Sequence, residues 1–235
     1  MQRENVKATF DNMAASYDAQ WANLGAINDS LHLLMGGVFS ILPTDAKILC
    51  VGAGTGAEII YLAQRLPKWH FTAVEPSTVM VDVCRRRLRA LDLEKRCSFH
   101  SGYLETLPSS NLFDAATSLL VSQFILEEES RLIFFKSIAN HLKPGGILVS
   151  SDLSADLNSS NYQSLLQTWL EMMKEGGISP ESLDGMRNAY GKSVAVIPEH
   201  AVARLIQGAG FEKPNHFYQV GLIHAWYCCK SSCNA

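Results

Sequence analysis

No run of apolar residues in this chain reaches the ~18 that a bilayer-spanning helix needs, so a membrane protein is not expected. The start, Met1-Gln2-Arg3-Glu4-Asn5, lacks the apolar stretch of a signal peptide, and the expected compartment is cytoplasmic. Charge of one sign is scarce too. Lys and Arg number 20 against 23 Asp and Glu, a net charge of -3 that argues against gripping nucleic acid mainly by charge. Cysteine is limited to six residues. Cys50 and Cys97 fall in expected strands, Cys84 on an expected helix, and Cys228, Cys229 and Cys233 near the tail. Their spacing is not that of a zinc knuckle, so free thiols and no metal are expected. No Ser/His/Asp or Cys/His constellation speaks for a hydrolase, and repeats and low-complexity tracts are missing. At 47% hydrophobic and 18% charged residues the chain is too apolar for disorder, and 235 residues suffice to bury a full core.

What is present centres on Val51-Gly52-Ala53-Gly54-Thr55-Gly56-Ala57-Glu58. An apolar run of strand length, Lys47 to Val51, precedes it. Ile59, Ile60, Leu62, Ala63 and Leu66 follow at helical spacing until Pro67. Strand, glycine turn and helix start make the first half of a βαβ nucleotide-binding unit, where glycine permits unusual backbone angles and close approach to a ligand. Glu75 closes the next apolar run about 20 residues on, where a carboxylate can accept both hydroxyl protons of a ribose. An adenosine-containing cofactor is implied. Gly52-x-Gly54-x-x-Ala57 also satisfies the NAD fingerprint. The Gly52-x-Gly54-x-Gly56 spacing with Glu58 behind it fits S-adenosylmethionine better, because that molecule ends in an amino acid rather than a pyrophosphate.

Periodicity predicts helices over 3–21 and 27–41, with Phe10, Met13, Tyr17 and Trp21 along one face of the first. Strands follow near 47–52, 70–75, 97–101, 113–118 and 146–152, with helices near 57–66, 77–91 and 129–142, the last ending at Pro144-Gly145-Gly146. This alternation implies a doubly wound, mostly parallel sheet. A helix near 199–208 and strands at 211–218 and 222–229 around Gly221 read as a terminal antiparallel hairpin, which brings the sheet to seven strands. The stretch 153–198 breaks the rhythm and is expected to cap the carboxyl ends of the strands, where ligands bind. The division is thus one domain over 1–235, comprising N-terminal helices (1–45), a cofactor core (46–152), a cap (153–198) and a closing helix with hairpin (199–235). Arg85-Arg86-Arg87 with Arg89 reads as a solvated helix face, and His216 and His224 as strand histidines rather than bases.

The chain resembles the class I S-adenosylmethionine-dependent methyltransferases in seven segments taken in order. They are Phe10 to Asp18, Val51 to Gly56, Val74-Glu75-Pro76-Ser77 with Met80, Gly102 to Pro108, Phe113 to Ser118, Leu142 to Gly146, and Ala209-Gly210-Phe211. The resemblance implies a Rossmann-like fold with S-adenosylmethionine as cofactor. Gly52, Ala53, Gly54, Thr55 and Gly56 would then cradle the methionine end and Glu75, followed by Pro76, the ribose. Met80 and Leu104 would flank the adenine beside Gly102, with Ser118 and Leu119 at the sulfonium. Tyr17 lies in the family's Ser-Tyr-Asp segment, where an aromatic face suits a sulfonium. Two positions usually acidic in the family are Cys50 and Tyr103, and Tyr103 could stack on the adenine or donate to it. Trp21, Gln123, Arg187 and Tyr190 are candidates for binding a small-molecule acceptor. No catalytic base is identified, and homodimerisation is left open. The C-terminal third also looks like the carboxy-S-adenosylmethionine synthases of tRNA wobble modification, in which a cap arginine, here Arg187, would hold the added carboxylate. An NAD-dependent oxidoreductase and a catalytically inactive binding protein are the readings outside this class.

Overall fold

The computed structural model describes residues 3–108 and 112–232, so Cys233 lies outside the described residues. The chain opens with α1 (Arg3–Met13), α2 (Tyr17–Trp21) and α3 (Gly25–Val38). It continues through β1 (Lys47–Val51), α4 (Ala57–Arg65), β2 (His70–Glu75), α5 (Thr78–Ala90), β3 (Cys97–Ser101), β4 (Phe113–Leu119), α6 (Glu128–His141) and β5 (Leu142–Leu153). Then come α7 (Tyr162–Glu175), α8 (Pro180–Ala189), α9 (Glu199–Gly208), β6 (Asn215–Val220) and β7 (Ile223–Cys229).

The seven strands form one sheet in the order β3-β2-β1-β4-β5-β7-β6. β1 to β5 run parallel, while β7 is antiparallel to β5 and to β6. Strand order reverses between β1 and β4, and a crevice opens at such a switch point. Because both faces are covered, β1 is apolar from Ile48 to Val51, and its alternate residues serve different cores. Ile48 and Cys50 pack with Met35, Phe39, Ile59, Leu62 and Leu88 on the α3–α5 side. Leu49 and Val51 pack with Phe135, Ile138, Val202 and Ile206 on the α6–α9 side. A third cluster joins α7 (Leu166, Trp169, Met173) to the hairpin residues Tyr218, Leu222 and Ile223, and so holds the cap on the sheet edge.

Three boundaries differ from the sequence expectations. The first helix is interrupted between Met13 and Tyr17, and the Ser16 hydroxyl bonds back to the Met13 carbonyl, as serines do at helix ends. The hairpin begins at Asn215, because Phe211 makes only an isolated bridge to Lys230. β5 starts already at Leu142, which pairs with Phe113 before the register shifts past the Pro144-Gly145-Gly146 turn. The expectation about membrane spans also needs correcting. The helical run Tyr17–Ile41, of 25 residues, is long and apolar enough to cross a membrane. Its only charges are Asp18 and Asp29, and small neutral residues carry its length. In the fold Leu31, His32 and Met35 of this run are buried against the rest of the chain.

Candidate active site

A cleft opens at the carboxyl ends of β1, β2 and β4, bounded by the glycine loop, the turn after β4 and the N-terminal helices. Gly52, Gly54 and Gly56 all adopt positive φ (72°, 51° and 79°). Their surroundings separate them. A Cβ on Gly52 would meet Val121 at 2.4 Å and one on Gly56 would meet Cys84 at 2.4 Å, whereas one on Gly54 would enter open space. Gly52 and Gly56 therefore let neighbours pack, and Gly54 leaves the backbone bare toward the cleft.

Glu75 ends β2 and is nearly buried. Its Oε2 accepts the Gly54 N–H (3.1 Å) and its Oε1 the Ser77 N–H (2.9 Å), so it ties the loop to the start of α5. Burial raises its pKa, and those two amide bonds oppose the rise. Ser77 caps α5 by accepting the Met80 N–H (3.0 Å), and its hydroxyl donates to Asp11 of α1 (2.5 Å). Lys7 pairs with Asp11 at 2.8 Å, and Arg3 lies 5.0 Å over the Tyr103 ring while pairing with Glu105. α1 is thus pinned across the Ser77 and Tyr103 side of the cleft.

Of the residues expected to hold the cofactor, Tyr17, Gly52, Ala53, Gly54, Thr55, Glu75, Pro76, Met80, Gly102, Tyr103, Leu104 and Leu119 all line this cleft. Gly56 turns toward Cys84 instead. Ser118 is wholly buried outside the lining, and its Oγ has no partner among the described residues. The Tyr103 hydroxyl is likewise buried without a partner. Burial pushes the Tyr17 phenol up to about 12, with Asp18, Glu58 and Glu75 adding to the shift, so its ring enters the cleft neutral.

The proposed acceptor residues lie elsewhere. Trp21 packs into the cap cluster, its ring 6.3 Å from Tyr17. Gln123 is buried, with its Oε1 accepting the Leu153 N–H (2.7 Å) and its carbonyl accepting the Ala195 N–H (2.8 Å). Arg187 and Tyr190 line a second cavity within the cap, against α7, and Tyr190 accepts the Trp169 indole N–H (3.0 Å).

Sequence reasoning passed over several groups. Arg87 donates to the Thr55 carbonyl and hydroxyl (both 2.9 Å) and pairs with Asp18 (3.0 Å), while the Thr55 hydroxyl donates to Asp18 (2.7 Å). The arginine run is therefore not a uniform solvated face. Arg85 covers the Phe99 ring, Arg87 locks the glycine loop, and Arg89 forks onto Glu94. Glu58 lines the cleft, and burial lifts its carboxyl to about 7. Asn28 and His32, one turn apart on α3, face the same space, and burial lowers His32 to about 4. Leu120 sits at φ 57°, a costly angle for a branched side chain. Its N–H is held by the carbonyl (2.8 Å) and hydroxyl (3.1 Å) of Ser151. Behind it, buried Arg131 pairs with Asp152 (3.1 Å) and donates to Ser122 (2.7 Å), whose hydroxyl donates to Asp152 (2.8 Å). This network fixes the turn after β4. The only advance signals were an Asn/His pair at i, i+4 and a lone arginine inside an apolar helix.

Residues 48–146 match the family described as a methyltransferase domain. The chain is similar over that region to methyltransferase domains, and relatives at 24–27% identity carry methyltransferase and carboxy-S-adenosyl-L-methionine synthase names. It is 25% identical over 170 residues to erythromycin 3''-O-methyltransferase of Saccharopolyspora erythraea, covering 70% of this chain and 50% of that protein. It is also 26% identical over 188 residues to the carboxy-S-adenosyl-L-methionine synthase of Aeromonas salmonicida, covering 77% and 72%. A third relative, ribosomal RNA small subunit methyltransferase G of Chlorobium phaeobacteroides, is 27% identical over 158 residues, covering 67% and 64%. An S-adenosylmethionine-dependent methyltransferase structure from Methanosarcina mazei superposes with a TM-score of 0.60 at 17% identity, covering 83% of this chain and 97% of that one, and shares the fold. The chain spans about half the length of the erythromycin relative. The names of these relatives differ in what they act on, so the similarity leaves the acceptor to the site. An RNA methyltransferase among them means that net charge does not decide the acceptor.

Proposed function

We propose that this chain transfers the methyl group of S-adenosylmethionine to a small, largely apolar organic acceptor, as a single domain acting in the cytoplasm. The observation that carries the reading is one cleft lined together by Gly54 with its bare backbone, Glu75 and Tyr103, whose buried hydroxyl has no partner among the described residues. The residues suit the cofactor. Ala53, Gly54 and Thr55 would hold its methionine end. Glu75 keeps lone pairs for the ribose hydroxyls beyond the two backbone bonds it accepts. Met80 and Leu104 would sandwich the adenine, with Tyr103 donating to its edge. When bound, the cofactor supplies a methyl group already activated on a sulfonium, so positioning rather than acid–base chemistry is the main demand. The neutral Tyr17 ring offers its face to that cation. Leu119, Leu120, Val121, Phe124 and Ile125 form an apolar wall that suits a hydrophobic acceptor and keeps water out. The five free thiols among the described residues support a reducing compartment.

A role like that of the carboxylated-cofactor synthases needs a free cation beside the sulfonium. Arg187 lines a different cavity, and the cleft's own cations, Arg3 and Lys7, are paired with Glu105 and Asp11. Two measurements test the proposal. In calorimetric titration S-adenosylhomocysteine should bind and NAD should not, and Glu75→Ala should weaken binding tenfold or more, since a charge-assisted hydrogen bond is worth roughly 1.5–3 kcal/mol. S-adenosylhomocysteine release should appear with a panel of apolar hydroxylated small molecules. Turnover on RNA alone would overturn the small-molecule acceptor, and binding without any turnover would favour an inactive binding protein.

A further inference from the structure

The terminal hairpin carries a donor cluster that the methyl-transfer site does not use. His216 on β6 and His224 on β7 stack at 4.9 Å with rings 16° apart, and His224 Nδ1 lies 2.9 Å from His216 Nε2. The first turn of α9 brings Glu199 over them, with its Oε2 3.7 Å from His224 Nδ1 and 3.6 Å from His216 Nδ1. One ligand atom from each residue can be chosen so that all three lie within 4.8 Å of one another. Sequence does not favour this meeting. The bulge between His216 and Tyr218 shifts the β6–β7 register, so His216 pairs with Trp226 and Gln219 with His224, and the bulge re-aims the histidine. Trp226 lies beside both imidazoles, at 5.5 and 6.0 Å, and fixes their planes.

We propose that Glu199, His216 and His224 bind one divalent transition-metal ion of borderline softness, of which Zn2+ is the natural case. Two imidazoles and one carboxylate are the donor types such ions take, with metal–ligand distances of about 2.0–2.2 Å. In a tetrahedral site those distances set ligand atoms about 3.4 Å apart. The two separations from His224 Nδ1, 2.9 Å to His216 Nε2 and 3.7 Å to Glu199 Oε2, bracket that spacing, and all three ligand atoms lie within 4.8 Å of one another, so side-chain rotation can complete the triangle. The fourth position falls to water. Asp152, paired across the strands with His224, is already committed to Ser122, Arg131 and the Gln123 N–H, while the His216 and Glu199 side chains are 31% and 56% exposed. Charge agrees, since the cluster has one anion and no cation of its own. The ion would cross-link β6, β7 and α9 at the sheet edge. None of the three ligands lines the methyl-transfer cleft, so its role is to hold the hairpin rather than to react.

The test uses the full chain stripped by chelator and dialysed. Titration with Zn2+ alone should show one equivalent bound, and Co2+ should give the intense visible bands of a low-coordinate site. At a hundredfold excess over its dissociation constant Zn2+ should raise the melting temperature by roughly 5 °C or more. His224 is buried and its replacement threatens folding, so the deciding variants are the more exposed ones. His216→Ala should abolish the Co2+ bands and Glu199→Gln should weaken Zn2+ binding at least tenfold, with circular dichroism and S-adenosylhomocysteine affinity unchanged in both. Absence of stoichiometric binding, or binding undiminished in both variants, would overturn the site.

Discussion

Residue chemistry in the glycine loop separates two roles that the motif alone merges. Gly54→Ala places a methyl group in open space, so its cost to folding is the positive φ, about 1 kcal/mol, while the methyl protrudes into the cleft proposed to hold the cofactor. Gly56→Ala drives a methyl group into Cys84. Melting curves should therefore show the larger loss for Gly56→Ala. Calorimetry should show the larger loss of cofactor affinity per degree of melting temperature for Gly54→Ala. The reverse order would mean that the loop's open face is not the ligand face. Glu58 makes a second prediction. Burial lifts its carboxyl from 4.5 to about 7, so the folded state holds a proton that the unfolded state releases at lower pH. Its contribution is then favourable in acid and lost as pH rises from about 4.5 to about 7, at up to about 1.4 kcal/mol per pH unit. Glu58→Gln should melt at the wild-type temperature near pH 4.5 and above it near pH 8. Equal melting at both values would place Glu58 in water.

At the level of elements, what could be read from the sequence was what short-range pattern controls. β1 was legible because Ile48 to Val51 is continuously apolar, as a buried parallel strand is, and α4 because Ile59, Leu62 and Ala63 repeat at helical spacing between a glycine turn and Pro67. The cleft's glycines and Glu75 were legible because their chemistry sits inside one βαβ unit. Arg87 was not, because its partners Asp18 and Thr55 lie 69 and 32 residues away and nothing local marks one arginine of a run. Arg187 and Gln123 were misplaced for the same reason, since cap packing and the Asp152 network place them. Arg87 joins α5, α2 and the glycine loop, so Arg87→Ala should loosen the loop without exposing a core. With the guanidinium about a third exposed, a discounted loss of about 1 kcal/mol corresponds to roughly fivefold weaker cofactor binding. Arg87→Lys, with one point charge in place of several donors, should restore only part of it. Unchanged affinity in Arg87→Ala would show that the loop holds its shape unaided.

Across the whole molecule the cleft is assembled from parts far apart in sequence, and this gives ligand binding a global readout. α1 reaches Ser77 through Asp11 and Glu105 through Arg3, α2 reaches Thr55 through Asp18, and the Arg131–Asp152 pair ties α6 to β5 behind the turn after β4. A ligand filling the cleft between these parts binds the folded chain and has no counterpart in the unfolded one. At a hundredfold excess over its dissociation constant such a ligand stabilises by about 2.7 kcal/mol. For a chain of this size that is a rise in melting temperature of roughly 5–10 °C. S-adenosylhomocysteine should produce this rise, and NAD at the same concentration should not, because Glu58 sets an acidic side chain in the first turn of α4, the helix end that a pyrophosphate would approach. The rise should shrink in Glu75→Ala and Gly54→Ala and persist in His216→Ala, whose position lies outside the cleft. Equal stabilisation by NAD would return the cleft to the dinucleotide reading that the glycine spacing also allows.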